Sequence, residues 1–373
     1  MVLILHLLVI AAAVFFSYAG VRRNQRESSS FKLNFGYLTS FLILLCFLGF
    51  RVFLGRDWDN YERIFTSTFQ QEFIFGESRE IGFLLMVSSL RSIGADFQSF
   101  IFTSSFLILF LFYISYRKFY YLLPFGIFVF FMDLGYPSAI NIIRQSVALM
   151  AFLNASLYID SKEKYAFLKF LLFFFFGLLF HYSIIIMFPF YFLGKLKWKV
   201  HYYIVFCIAI FIVSLYLVVP MFEETLSLVD KYNAYEHKDT VNEESTFGLG
   251  AILVLLIRLM PIVAYEYVRK NNPEFLKYFV YYFVGLSISY GFYNFLLVTR
   301  ITFYFQFFEL FVQAFFIYYV IMKRKKFRPI GFGYMFIVLF NYIYTFNNFL
   351  EGHVAARRFS LLFMDFLFSG HMS

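Results

Sequence analysis

Two arginines, a histidine and a pair of aspartates lie at the edges of long apolar runs, and their side chains have the most chemistry open to them. The stretch Tyr136-Pro-Ser-Ala-Ile-Asn141-Ile-Ile-Arg144-Gln145-Ser-Val-Ala148 sits between two such runs. Pro137 and Ser138 predict a helix start with Ser138 as its N-cap, which puts Arg144 in the second turn of a helix over 139–159. A cation that close to the positive end of a helix dipole gains nothing from it. The pattern makes sense if an anion is shared between exposed backbone N–H groups and the guanidinium.

Arg300 repeats the theme at the start of another apolar run, with Tyr304 one turn on. Both arginines suit bidentate contact with phosphate; the plainer alternative is that they snorkel to lipid headgroups and anchor helix ends. Asp57-Trp58-Asp59, followed by Tyr61, offers a carboxylate to take a proton from a hydroxyl, two carboxylates for a divalent cation, or merely a solvated loop pair. His181 follows Phe180 at a break in the apolar run 167–193 and suits a base, a phosphate ligand or a packing residue. Arg258 and Glu309 lie deeper in their runs, where charges are costly; a structural pairing of the two is the favoured reading.

The elements that must position these groups are membrane spans. Of 373 residues 61% are hydrophobic and only 15% charged, a composition that leaves no soluble domain of useful size. Spans are expected near 2–21, 33–54, 97–116, 122–135, 139–159, 165–180, 201–219, 247–268, 278–297, 301–322 and 330–350. Two runs, 81–93 and 183–193, are too short to cross and are expected to be re-entrant or tilted. The fold class is therefore all-α, a single polytopic membrane domain over 1–373 with about 11–13 membrane segments. The first run lacks a preceding Lys or Arg and is followed by Arg22, Arg23 and Arg26, the reverse of a cleavable signal peptide.

Orientation follows from the basic residues. Cytoplasmic placement of loops 22–32, 117–118, 160–164, 195–199, 269–277 and 323–328 gathers 19 Lys and Arg there against four acids. Loops 55–80 and 220–247 then face outside. The same face receives Asp57, Tyr61, Arg79, Glu80, Asn141, Arg144, Gln145, His181, Arg300 and Tyr304. The net charge of +9 comes from short loops rather than from a basic, aromatic-interleaved surface, so nucleic acid is excluded as a partner. There is no G-x-x-x-x-G-K-[ST], no complete G-x-G-x-x-G and no H-E-x-x-H, and Cys46 and Cys207 lie in apolar runs. Neither a cofactor nor a resident metal is expected.

With these pieces in place, the chain resembles the EpsG-like branch of the Wzy-type bacterial polysaccharide polymerases, also called O-antigen polymerases. The matching pieces are Gly55-Arg-Asp57-Trp-Asp-Asn-Tyr61-x-x-x-Phe65, Glu80-x-Gly82, Asn141-x-x-Arg144-Gln-x-x-Ala148, Phe180-His181-x-Ser183 and Arg300-x-x-x-Tyr304, in order from about residue 50 to 310. The resemblance implies a many-helix fold related to the GT-C-type membrane glycosyltransferases. It implies polymerisation of undecaprenyl-pyrophosphate-linked oligosaccharide repeat units at the outer face of the bacterial inner membrane. A chain-length regulator protein would be a further partner, beside the membrane lipid itself.

For that reaction Asp57 and His181 are the expected catalytic residues. Arg144, Arg300, Asn141, Gln145, Tyr61, Arg79, Glu80 and Tyr304 are the expected substrate contacts. Arginines would stabilise the departing pyrophosphate, and Asp57 or His181 would take the acceptor hydroxyl's proton. A flippase for lipid-linked oligosaccharide would also bind pyrophosphate through arginines, but it calls for polar residues continuing through the membrane. A structural subunit of an export complex would need no such groups.

Overall fold

The computed structural model describes residues 2–27, 31–52, 54–55, 57–67, 80–133, 135–195, 197, 199–213, 216, 249–291, 302–352 and 360–361. Arg79, Arg300 and the loop 220–247 lie outside them. The described chain is almost entirely helical, apart from an antiparallel pairing of Arg51–Val52 with Ser360–Leu361. Three described helices are long and apolar enough to cross a membrane: Leu3–Glu27, Phe97–Ser115 and Thr302–Lys323. Arg117–Met132 with Gly135–Asn141 makes a fourth if that bent pair counts as one span. Phe35–Gly49, Ile81–Ser92, Ala166–Phe180 and Val200–Val213 are apolar but shorter.

The chain divides into two compact units, residues 1–188 with 313–373, and residues 189–312. The first unit contains helices α1 (Val2–Glu27), α2 (Phe35–Gly49), α3 (Trp58–Thr66), α4 (Ile81–Ser92) and α5 (Phe97–Ser115). It continues with α6 (Leu123–Met132), α7 (Gly135–Asn141), α8 (Ile143–Ser156) and α9 (Ala166–Phe180). Helix α1 packs on α2 and α6, α2 on α5, α5 on α8, α8 on α9 and α9 on α4.

Helix α8 is the centre of this unit. Every residue in it is buried except Arg144. A helix apolar or small on all sides has no preferred outward face and is enclosed by its neighbours, and Ala148, Ala151 and Ala155 keep those neighbours close. Its start differs from the sequence expectation. Ser138 is not an N-cap: the helix begins at Gly135, Pro137 sits in its first turn, and Ser138 is buried with its carbonyl accepting from the Ile142 N–H at 2.9 Å. The discontinuity comes four residues later, at Ile142 (φ −112°, ψ 57°). There the Asn141 amide donates to the Pro137 carbonyl at 2.9 Å, a side-chain bond that competes with helix geometry. Arg144 consequently occupies the first turn of α8, nearer the kink than the sequence predicts.

Polar residues in the apolar interior lock the surrounding helices. His6, fully buried in α1, shares a 2.9 Å hydrogen bond with the Tyr136 hydroxyl and meets the Phe47 ring edge-on. Arg51, also buried, donates to the Leu48 carbonyl at the end of α2 and to Ser105 Oγ on α5, at 2.7 and 2.8 Å. A helix C-terminus is the favourable end for such a cation.

The short run 81–93 forms α4, and the run 183–193 forms a 3₁₀ turn, Tyr182–Met187, followed by the single helical turn Phe190–Leu193. Gly82 sets how near α4 lies to α9. A Cβ there would stand 2.8 Å from Leu179 Cβ and 3.0 Å from the Leu179 carbonyl oxygen. In the second unit, Val200–Val213 packs on Leu276–Gly291, and with the stretch 249–264 they line an open apolar cavity of about 360 Å³ beside Cys207 and Ser287.

Gly82→Ala is expected to lower stability by about 1–3 kcal/mol through overpacking against Leu179. Gly333→Ala, at a helical position with nothing within 4 Å of the added carbon, should be neutral or stabilising by up to about 1 kcal/mol. Thermal unfolding of the detergent-purified variants checks the contrast. Asp96 caps α5, accepting from the Ser99 N–H at 2.8 Å and its hydroxyl at 2.6 Å, and these bonds hold its carboxyl below the ordinary value. Asp96→Ala should cost about 1 kcal/mol at neutral pH. Because the folded-state value is depressed, that difference is present above about pH 4 and closes as pH falls through the cap's own titration.

Candidate functional site

Three chain segments meet at the kink before α8. The first is α3. Its buried residues, Trp58, Tyr61 and Phe65, recur at helical spacing and form one face, while Asp59 is exposed. That face rests on aromatic rings of α4 and α5. Trp58 meets Phe97 edge-on, Phe65 lies against Phe97 and Phe100, and Tyr61 against Phe83 and Phe100. The entry to α3 is fixed by Gly55, whose φ of +115° favours glycine. A Cβ there would fall 2.6 Å from the Ile140 carbonyl oxygen and 3.2 Å from Asn141 Oδ1. The segment around Asp57 is thereby held against the end of α7.

The second segment is the start of α4. Glu80 is its N-terminal flanking residue and is only 5% exposed. The third is the end of α9, where His181 leaves the helix in extended geometry (φ −159°, ψ 119°) with its N–H bonded to the Gly177 carbonyl. The sequence break after Phe180 is therefore a true helix end.

Glu80 joins the start of α4 to the first turn of α8 and to the end of α9. Its Oε2 accepts from Arg144 Nη1 at 2.7 Å, and its Oε1 pairs with His181 Nδ1. The carboxylate is buried beneath two partly exposed partners, Arg144 with 26% and His181 with 28% of the side chain accessible. The Arg144 guanidinium also lies over the Phe83 ring, 5.3 Å from its centroid. Burial pushes the Tyr61 phenol above its ordinary value, while the nearby Arg144 charge draws it down and Asp57 draws it up. The anion that the position of Arg144 calls for is thus present within the chain, as Glu80.

The expected site residues divide as follows. Asp57, Tyr61, Glu80 and His181 stand in the three segments that converge here, and Asn141 and Arg144 flank the kink where they meet. Asp57 is the residue before α3, half-buried, with its carbonyl accepting from the Tyr61 N–H. Asn141 holds the kink, and Gln145 is buried within α8. Tyr304 is 1% exposed and belongs to the second unit. Arg79 and Arg300 lie outside the described residues. Among the described residues no three His, Cys, Asp or Glu side chains gather into a cluster able to hold a metal ion. Sequence reasoning missed Phe83, the ring beneath Arg144. Its only signal was its place three residues after Glu80 in an apolar helix.

The arrangement provides a guanidinium able to meet phosphate oxygens, beside an imidazole whose orientation a carboxylate fixes. A family model described as the EpsG family matches residues 34–361. No curated protein and no solved structure matches the chain.

The Glu80–Arg144 pair should be energetically coupled. In a double-mutant cycle of Glu80→Ala and Arg144→Ala, thermal unfolding is expected to give an interaction energy of about 1–3 kcal/mol. Additive effects would mean that the two side chains do not sustain one another.

Proposed function

From the premise that the chain belongs to the EpsG family, a membrane protein of polysaccharide biosynthesis, we propose that it is a polysaccharide polymerase. A glycan is transferred from undecaprenyl pyrophosphate to the terminal sugar hydroxyl of a second lipid-linked repeat unit, at the outer face of the bacterial inner membrane. The observation that carries this reading is that one carboxylate, Glu80, holds a phosphate-competent arginine at the start of α8 and a histidine at the end of α9 side by side.

The donor arrives activated. The bond from its anomeric carbon to the pyrophosphate oxygen breaks, the electron pair leaves with the pyrophosphate, and the acceptor oxygen bonds to the same carbon. The transition state has oxocarbenium-like character at the sugar, and negative charge grows on the leaving group. Arg144 stabilises that charge, joined by Arg300; a donor of this kind is worth about 3 kcal/mol. The acceptor hydroxyl loses its proton to His181, with the Asp57 carboxylate at the α3 entrance the alternative base. A positioned base contributes about 10²–10⁴-fold. Tyr61, Asn141 and Gln145 shape the cradle around Arg144. The fold belongs with the GT-C-type membrane glycosyltransferases in this reading.

Arg144→Ala and His181→Ala are each expected to remove the long-chain ladder from surface glycan while single repeat units persist, because export precedes polymerisation. An intact ladder in both variants refutes the site. Loss of single units as well as the ladder points to a flippase and refutes the polymerase.

A further inference from the structure

We propose that Glu80 is a positioning residue that sets the tautomer of His181, directing the ring proton to Nδ1 so that Nε2 carries the lone pair that accepts the substrate's proton. The inference rests on the polymerase reading only for what the lone pair is used on; the tautomer assignment stands on the geometry alone.

The two oxygens of the Glu80 carboxylate face two different partners. Arg144 Nη1 stands 2.7 Å from Oε2, and a guanidinium has donors only. An ionised carboxylate accepts only, so the atom it faces must donate. His181 meets Oε1 through Nδ1. A neutral imidazole has a single N–H, and here it must sit on Nδ1, which leaves Nε2 as the acceptor. Burial makes the choice stringent: with 7% of its side chain exposed, Glu80 has little water to offer as a substitute partner. The wrong tautomer would set the Nδ1 lone pair against the carboxylate oxygen. His181 retains enough exposure for a hydroxyl to approach its other side.

Glu80→Gln tests this with almost no change of shape. Facing Arg144, which only donates, the amide must present its oxygen. Its NH₂ then faces His181 Nδ1, which must accept, and the ring proton moves to Nε2. Every hydrogen bond is kept and the tautomer is inverted. The experiment is ¹⁵N spectroscopy of histidine-labelled full-length protein in nanodiscs, at an alkaline pH where the ring holds one proton. His181 is assigned by the signal lost in His181→Asn. Turnover of lipid-linked repeat units is measured alongside.

The expected result is an Nδ1–H ring in the wild type and an Nε2–H ring in Glu80→Gln. With it, kcat should fall about 10²–10⁴-fold, the range for loss of a general base, while KM changes little. Glu80→Asp, which keeps an acceptor-only carboxylate, should keep the wild-type tautomer and recover part of the rate. A wild-type ring protonated on Nε2 overturns the proposal, as does a Glu80→Gln protein with unchanged tautomer and rate. If the glutamine variant does not accumulate, the wild-type spectrum alone decides. Tautomer inversion in a protein that makes no polymer would sustain the role of Glu80 and overturn the polymerase reading. An Nε2–H ring in an active polymerase would do the reverse.

Discussion

A buried carboxylate held between a guanidinium and an imidazole is the interaction on which the first unit of this protein depends. Taking a carboxylate out of water costs several kcal/mol unless both its oxygens find donors. Glu80 meets that condition with residues 64 and 101 positions away in sequence. The site can therefore exist only if α4, α8 and α9 reach their final packing. Small residues where those helices meet, Gly82 against Leu179 and the alanines of α8, are what allow the approach.

The same interaction explains an otherwise unfavourable placement. Arg144 stands in the first turn of a helix, where the dipole opposes a cation. Glu80 offsets that dipole, and the Phe83 ring supports the guanidinium from beneath. A helix buried at every residue but Arg144 presents that one cation, partly exposed, at its open end. The proposed transfer of a pyrophosphate-linked glycan would draw on such a cation: positive charge that is already oriented, with a proton acceptor beside it.

The kink between α7 and α8 belongs to this design. Without it the Gly135 helix would run straight into α8, and the N–H groups near Arg144 would all be spent on the preceding turn. The Asn141 side chain takes the Pro137 carbonyl, the backbone turns at Ile142, and Gly55 presses the α3 entrance against the last turn of α7. Two motifs that look independent in sequence, the one around Asp57 and the one around Arg144, are thereby parts of one surface.

Composition and hydropathy alone determined that this is a helical membrane protein. Alternation of apolar runs with short basic loops is a local property, and it was legible without coordinates. The end of α9 at His181 and the shortness of α4 were legible for the same reason, since each depends on a few adjacent residues. The start of the Arg144 helix was not, because the Asn141–Pro137 bond and the packing around Ser138 outweigh the capping preference of a serine. The partner of Arg144 was not legible either. The position of the arginine implied an anion, but an anion from the chain and an anion from a substrate satisfy the dipole argument equally. Only the tertiary structure decided for Glu80, because that choice depends on helix packing between segments that nothing in the linear order brings together.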